Sequence, residues 1–372
     1  MRNSGLRPEL SRRLKFDSQK LRWLVQIAFL ILVIFIGWRF YLFVQFCESG
    51  GTATFVPRPP GVEAFLPIGA MMGVKYFFLT GIIDPIHPAG FVIFVTILLT
   101  ALFFRRGFCS WICPVSTISE WLWRGFEGCG GKNIRLPKIA DIVLRSVKYL
   151  LLAFFLHILF VMDKTALESF YQNVPYIRVA DVKMLKFFTE MATLTLIVII
   201  LLVIGSFINK NFWCRYFCPY GALLGILGWI SPFRVARDKD KCIDCGKCTK
   251  ACPVYIVVEN KKTVTDPECL VCYDCVQACP KPGALDLKIV GPNAKIHYAL
   301  YAAILIGFFG ILTTAGRLTG NWHTSIPVKE FVDRVQHIHD PMYQHRQGKF
   351  ATENGALETR PDNPPETDKP TL

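Results

Sequence analysis

The sequence is poor in charged residues, which make up 19% of its 372 residues, whereas ordinary soluble domains carry about 25%. In their place stand 52% apolar residues, gathered into long runs. This distribution excludes a soluble globular enzyme and a disordered chain. The net charge of +14 would suit nucleic acid, but the basic residues flank the apolar runs, which excludes a nucleic-acid binder.

Several familiar cofactor motifs are also missing. The sequence has no G-x-G-x-x-G or Walker-type loop, so no dinucleotide or ATP motif is present. No C-x-x-C-H occurs, which excludes covalent c-type haem attachment. Residues 49–54 faintly resemble a threonine flavinylation site but lack its S-G-A-T order, so we expect no covalent flavin.

Five apolar stretches are long enough, or nearly so, to cross a bilayer core of about 30 Å as helices. The second, third and fourth are close to the lower limit of length. We therefore predict an α-helical integral membrane protein with about five transmembrane helices. The stretches are residues 23–46, 89–104, 146–162, 192–208 and 297–316.

The basic residues predict the orientation of these helices. With an inside N-terminus, Lys and Arg exceed Asp and Glu in 1–22, 105–145 and 209–296 taken together, whereas the outer segments are balanced. Positive residues are retained on the cytoplasmic side. We therefore expect a cytoplasmic N-terminus, an uncleaved first span and a periplasmic C-terminal tail.

All but Cys47 and Cys129 of the 14 cysteines lie in short C-x-x-C or C-x-x-x-C spacings, which indicates metal binding. Eight lie in two runs of C-x-x-C-x-x-C-x-x-x-C-P, the bacterial two-cluster ferredoxin pattern. In that pattern the fourth cysteine of each run ligates the other cluster, and a zinc site would not explain two matched runs. We predict two [4Fe–4S] clusters, held by a first quartet (Cys242, Cys245, Cys248 and Cys279) and a second quartet (Cys252, Cys269, Cys272 and Cys275).

A C-x-x-x-C-P motif follows the second span and another follows the fourth, which predicts two parallel internal repeats. On a helix, residues four apart share a face, so each motif would offer two thiols to one partner. A third cluster, a redox dithiol, a copper site and inert buried thiols are all open interpretations. We call these residues the paired cysteines: Cys109, Cys113, Cys214 and Cys218.

The outer segments 47–88 and 163–190 suit amphipathic helices at the membrane interface, or the walls of a pocket for a lipid-soluble quinone. Glu63 and Asp84 there would be solvated loop residues, or acceptors of quinol protons. We interpret Cys47 and Cys129 as structural. We interpret three histidines in or near the spans as packed neutral residues or as hydrogen-bond partners of a quinone: His87, His157 and His297. Four more lie in the tail, where they are solvated or contact an external partner: His323, His337, His339 and His345.

We divide the chain into five parts. Residues 1–22 form a basic N-terminus, and 23–233 form the membrane domain with its two repeats. Residues 234–290 form an inserted α+β two-cluster ferredoxin-like module on the cytoplasmic side. The last transmembrane helix lies in 291–316, and 317–372 form the tail, whose acid-rich end we expect to be disordered.

Several motifs together resemble a known family. They are the paired-cysteine motifs at 109–115 and 214–223, the run Thr-Phe-Val-Pro-Arg-Pro at 54–59, and Asp-Val-Lys-Met-Leu at 181–185. With the two-cluster module they resemble the NapH/NosR/CcoG-type membrane-bound polyferredoxins, and in particular the YccM-type electron-transport proteins.

The resemblance implies a multi-pass protein of the bacterial inner membrane with cytoplasmic clusters. NapH- and NosR-like members move electrons from quinol towards periplasmic reductases, whereas CcoG-like members handle copper during oxidase assembly. We expect an electron conduit between quinone, clusters and a redox partner, which would be a periplasmic cytochrome or reductase or a cytoplasmic ferredoxin-like donor. The alternatives are a copper-reducing assembly factor and a redox sensor or membrane anchor of a reductase complex.

Overall fold

The computed structural model describes residues 17–343, 350–351 and 357–358. The chain divides into two compact units. His345, the basic residues before position 17 and the acid-rich end of the tail lie outside the described residues. The first unit comprises Met1–Phe35, Val95–Leu156 and Thr193–Ala315, and the second comprises Ile36–Phe94, His157–Ala192 and Gly316–Leu372.

The described chain is mostly helical. Two short 3-10 helices, Pro60–Phe65 and Pro341–Tyr343, accompany the α-helices. The α-helices are α1 Ser18–Glu48, α2 Pro67–Thr80, α3 Pro88–Phe104, α4 Gly107–Trp111, α5 Pro114–Gly128, α6 Lys138–Val161, α7 Lys164–Asn173, α8 Pro175–Arg178, α9 Ala180–Thr189, α10 Thr193–Ile208, α11 Phe212–Tyr216, α12 Pro219–Leu227, α13 Lys247–Ala251, α14 Asp274–Gln277, α15 Tyr298–Leu318 and α16 Val328–Gln336.

Each predicted span coincides with an apolar helix, but only some of these helices are long enough to cross a membrane. In the described residues α1, α6 and α15 qualify, and α9 with α10, bent by 76°, would make a fourth. Helix α3 has 17 residues, about 25 Å of helix, which falls short of the bilayer core. The protein therefore has three or four candidate spans, and five stays a prediction.

The ferredoxin-like module of the first unit is built on a two-stranded antiparallel sheet. Strand β1, Phe233–Arg237, pairs with β2, Leu285–Ile289, and Val235 lies opposite Leu287. The cysteine runs lie in the segment between these strands, which consists of loops and the short helices α13 and α14. The Phe233 ring stacks on Phe104 at the end of α3, with ring centroids 5.3 Å apart, which anchors the sheet against an apolar helix.

The second unit has an apolar core to which the tail contributes. Phe331 of α16 is buried and packs edge-on against Phe43, with ring centroids 5.5 Å apart. Burying Phe331 and Val335 draws α16 onto this core, so this part of the tail is packed rather than simply solvated. Strands β3, Phe350–Ala351, and β4, Leu357–Glu358, pair with each other further along the tail.

Candidate functional site

The first quartet lines one cavity of about 380 Å³, a volume that includes space open to solvent. Cys245 is exposed, whereas Cys242 and Cys248 are half-buried. The guanidinium of Arg237 lies 3.5 Å from Cys242 Sγ and also pairs with Asp244 at 2.8 Å. This cavity therefore reaches the surface of the module and holds a cation beside one of its thiols.

The second quartet lines a separate cavity of about 360 Å³. Its surroundings are more apolar, with Val235, Ile256 and Leu270 among the lining residues. Burial raises the pKa of Cys252 to about 12, although the backbone N–H of Ile256 points at its sulfur from 3.4 Å. A bound metal centre, which supplies positive charge, would bring these thiols into their anionic form.

Both cysteine runs turn in the same unusual way. The residues on either side of the middle cysteine have left-handed backbone: Asp244 and Gly246 around Cys245, and Val271 and Tyr273 around Cys272. This conformation is rare for residues other than glycine, and rarest for a β-branched residue such as Val271. The two runs therefore share a strained local fold, which is typical of ligand-holding loops.

The four thiols around each cavity suit a polynuclear centre better than a single ion. In the part of the chain described, no group of three or more His, Cys, Asp or Glu side chains could hold one metal ion. An iron–sulfur cubane separates its thiolates more widely than tetrahedral zinc does. The cavities group the cysteines in the crossed way that the sequence pattern predicts, while their ligand roles stay a prediction.

The paired cysteines lie where one short helix gives way to the next. Cys109 is in α4, but Cys113 has extended backbone (φ −66°, ψ 119°) and is the N-cap of α5. The expectation that both thiols share one helix face is therefore wrong. The cause is Pro114, because proline disfavours helical backbone in the residue before it and suits the first position of a helix. Cys218 is likewise the N-cap of the next helix, α12.

The thiols of the paired cysteines influence one another electrostatically. Burial first, and then the neighbouring Cys109 thiol, raises the pKa of Cys113 to about 12. Burial also raises the pKa of Cys214 well above its usual value, and Cys218, Cys113 and Cys109 raise it further. A dithiol for exchange chemistry needs a lowered pKa, so this environment disfavours the dithiol interpretation.

A buried ion network links the segment before Cys109 to the second quartet. Arg106 donates to Glu268 at 2.8 Å, and Lys148 pairs with the other oxygen of Glu268 at 2.5 Å. Burial alone would raise the pKa of Glu268, but the two cations lower it to about 2. Glu268 immediately precedes Cys269. Sequence reasoning missed this network because Arg106 has the appearance of an ordinary basic residue at a span end.

The carboxylates of the outer segments are buried. Glu63 is 0% exposed and Asp84 is 1% exposed, so their interpretation as solvated loop residues is wrong. Arg58 compensates the charge by pairing with Glu63 at 2.8 Å and with Asp181 at 2.7 Å, and Tyr171 donates to Asp84 at 3.1 Å. Arg58 and Asp181 belong to two separate sequence motifs, which this ion pair joins within the second unit.

The remaining single residues lie in different surroundings, and His87 lies beside the buried carboxylates, with its Nδ1 3.7 Å from Glu63. His87 is buried with its Nε2 2.8 Å from the Ile177 carbonyl oxygen, whereas His157 is exposed, so a packed role for His157 is wrong. Cys47 is buried in the core of the second unit. Cys129 is exposed, which does not fit a packing role. Four more histidines that the structure describes are exposed: His297, His323, His337 and His339.

Comparisons with known families identify the class of this protein. The family described as "4Fe-4S dicluster domain" matches residues 234–280. The family described as "4Fe-4S binding domain" matches twice, at 86–137 and 191–237, and these two matches include all four paired cysteines. The chain is therefore an iron–sulfur protein with candidate membrane helices.

Known relatives place it more narrowly. It is 38% identical to the "Putative electron transport protein YccM" of Escherichia coli (strain K12) over 81% of this chain and 86% of that protein. It is 29% identical to the ferredoxin-type protein NapH of the same organism over 42% of this chain and 50% of NapH. It is 30% identical to the protein NirI of Paracoccus denitrificans over 45% of this chain and 24% of NirI. No solved structure matches. The chain belongs to the membrane-bound polyferredoxin family that includes YccM.

Proposed function

We propose that the protein is a membrane-bound electron conduit, an electron-transfer component of a quinol dehydrogenase-like system. It passes electrons between the quinone pool, two [4Fe–4S] clusters and a partner redox protein, such as a periplasmic reductase. The observation that best supports this role is the grouping of the eight module cysteines around two separate cavities, four to each. The name of its relative YccM, an electron transport protein, agrees with it.

The residues of each quartet would hold one cluster, which supplies reversible one-electron chemistry when bound. Val235, Ile256 and Leu270 keep water away from the second quartet. Arg237 stabilises negative charge on Cys242 of the first. The two sites thus differ in solvent access and nearby charge, which are the properties that set cluster potentials.

We place the protein in the bacterial inner membrane, with the N-terminus and the module in the cytoplasm and the tail in the periplasm. The excess of Lys and Arg in 1–22, 105–145 and 209–296 supports this orientation. With it, the clusters would exchange electrons directly with a cytoplasmic ferredoxin-like partner and with quinone from the bilayer, and a periplasmic reductase would be reached only through the membrane domain.

A quinone-exchange experiment tests this function. Iron-loaded protein in liposomes is reduced with dithionite and mixed with menadione, and cluster reoxidation is followed by stopped-flow absorbance. We expect rapid reoxidation by wild type, slower reoxidation by Cys272→Ala, which loses a second-quartet ligand, and wild-type behaviour of Cys129→Ala, whose exposed thiol lies outside both cavities. Wild-type clusters that stay reduced, or a Cys272→Ala variant as fast as wild type, would contradict quinone exchange through the clusters.

The second candidate function is copper reduction or handling for respiratory enzyme assembly. Four neighbouring thiols in a largely buried setting favour it, because soft thiolates select Cu(I). Metal analysis of anaerobically purified protein decides between them. Copper that is present in wild type and absent from Cys214→Ala supports this candidate, whereas iron at the paired cysteines supports the conduit.

A further inference from the structure

Two side chains from the segment that carries Cys109 bond directly to the second quartet's loop. Ser110 Oγ donates to the Leu270 carbonyl oxygen at 2.6 Å, and Trp111 Nε1 donates to the Val271 carbonyl oxygen at 3.2 Å. Leu270 and Val271 are the two residues between Cys269 and Cys272. Both bonds are buried, so water does not compete for them.

The other pair of cysteines reaches the same quartet from the opposite run. Arg215, which follows Cys214, donates to the Val254 carbonyl oxygen at 2.5 Å. Val254 lies two residues after Cys252, the crossed ligand of the second quartet. Both paired-cysteine motifs therefore contact loops of the second quartet.

The first quartet has no such contact in the residues that the structure describes. The hydrogen bonds of Cys242 stay within the module: its N–H donates to the Lys239 carbonyl oxygen, and Arg237 donates to its sulfur. Beside it Ile243 is 53% exposed, and the Cys245 thiol is also exposed. This quartet therefore faces solvent, while the second quartet faces the paired cysteines.

We propose that Ser110 and Trp111 form the electron-transfer contact between a redox centre at the paired cysteines and the second quartet. The Ser110 bond completes a path of covalent bonds and one hydrogen bond from Cys109 to Cys269. The Trp111 bond does the same towards Cys272. The first quartet is then the outer centre, which exchanges electrons with a soluble partner. This inference rests on the proposed conduit function.

The transfer step is a simple one-electron exchange. A redox centre held by the paired cysteines would lose one electron, and a cluster held by the second quartet would gain that electron. No covalent bond forms or breaks and no proton moves, so the same contact serves the opposite direction. Ser110 and Trp111 act only by shortening the path and holding the two loops at a constant distance.

The test compares two variants with two matched controls. Ser110→Ala and Trp111→Phe each delete one bridging hydrogen bond. Ser231→Ala deletes an equally short bond, from Ser231 Oγ to the Phe103 carbonyl oxygen at 2.6 Å, away from the path. Trp123→Phe removes an equally buried indole N–H that bonds no group in the described residues.

Electron equilibration between the centres is measured by freeze-quench EPR after rapid partial reduction, beside iron content, midpoint potentials and thermal unfolding. We expect several-fold slower equilibration in Ser110→Ala and Trp111→Phe, with those other properties and both controls close to wild type. Equal rates in all five proteins, or about eight irons per chain in wild type, which leaves the paired cysteines without a cluster, would overturn the contact. If the wild-type protein shows no reversible cluster signal at all, the conduit function itself would be overturned.

Discussion

Glu268 shows how single buried charges hold the cluster-binding loop in place. It is 3% exposed and lies between Arg106 and Lys148, one residue before Cys269. A buried carboxylate is stable only with partners of opposite charge and good hydrogen bonds. Glu268 thus holds the start of the loop that begins at Cys269.

Replacing Glu268 should therefore be costly. Glu268→Gln leaves two buried cations without their anion, and we expect a loss of about 3–5 kcal/mol in the free energy of unfolding. The matched control is Glu168→Gln, whose exposed pair with Lys164 at 3.8 Å is worth less than about 1 kcal/mol. Thermal unfolding in detergent measures both, and equal effects of the two changes would contradict the role of Glu268.

The same residue predicts a pH dependence. Its pKa falls from 4.5 to about 2 on folding, so its stabilisation is complete above about pH 4.5 and is lost as the pH falls towards 2. We expect wild type to lose stability over this range, measured by denaturant unfolding, and Glu268→Gln to lose less. A Glu268→Gln curve parallel to that of wild type would show that other carboxylates carry the acid sensitivity.

At the scale of elements, helices pack closely where one ends and the next begins, and Gly107 lies at such a junction. A Cβ at Gly107, the first residue of α4, would lie 2.3 Å from the hydroxyl oxygen of Tyr301. That hydroxyl is buried and donates to the Phe104 carbonyl oxygen at 2.8 Å. Glycine at this position therefore lets α4 and α15 approach closely next to the paired cysteines.

We expect Gly107→Ala to destabilise the protein by about 1–3 kcal/mol, because the crowded Tyr301 ring has no free space to enter. Gly125→Ala is the control: a Cβ there meets nothing within 4 Å, so alanine in the last turn of α5 is neutral or stabilising by up to about 1 kcal/mol. Thermal unfolding in detergent distinguishes them. A Gly107→Ala variant as stable as wild type would contradict close packing at this junction.

Sequence patterns predicted where helices form better than they predicted where each helix begins and ends. Each apolar run became a helix, because a helix satisfies the backbone hydrogen bonds within its own segment and requires no distant partner. The pairing of Cys109 and Cys113 on one face failed, because Pro114 splits the segment into two helices. The predicted five spans exceeded the three or four candidates, because α3 with 17 residues and α10 with 16 residues are too short to qualify on their own.

At the scale of the whole molecule, local cysteine spacing was enough to predict the ferredoxin-like module, whereas the other contacts depend on long-range packing. The crossed grouping of the eight module cysteines was predictable, because two short loops with fixed spacing determine it. The ion pairs of Arg58 with Asp181 and of Arg106 with Glu268 were not, because either partner alone looks like an ordinary surface charge. The burial of Phe331 in the tail depends likewise on a core that no local pattern reveals.

An anaerobic redox titration of the purified protein, monitored by EPR with iron counted in the same sample, tests the central claim most directly. We predict reversible [4Fe–4S] signals and about twelve irons per chain, four for each quartet and four at the paired cysteines. Cys245→Ala and Cys272→Ala should each remove a different signal. Zinc in place of iron, or iron without any reversible signal, would contradict an iron–sulfur electron conduit.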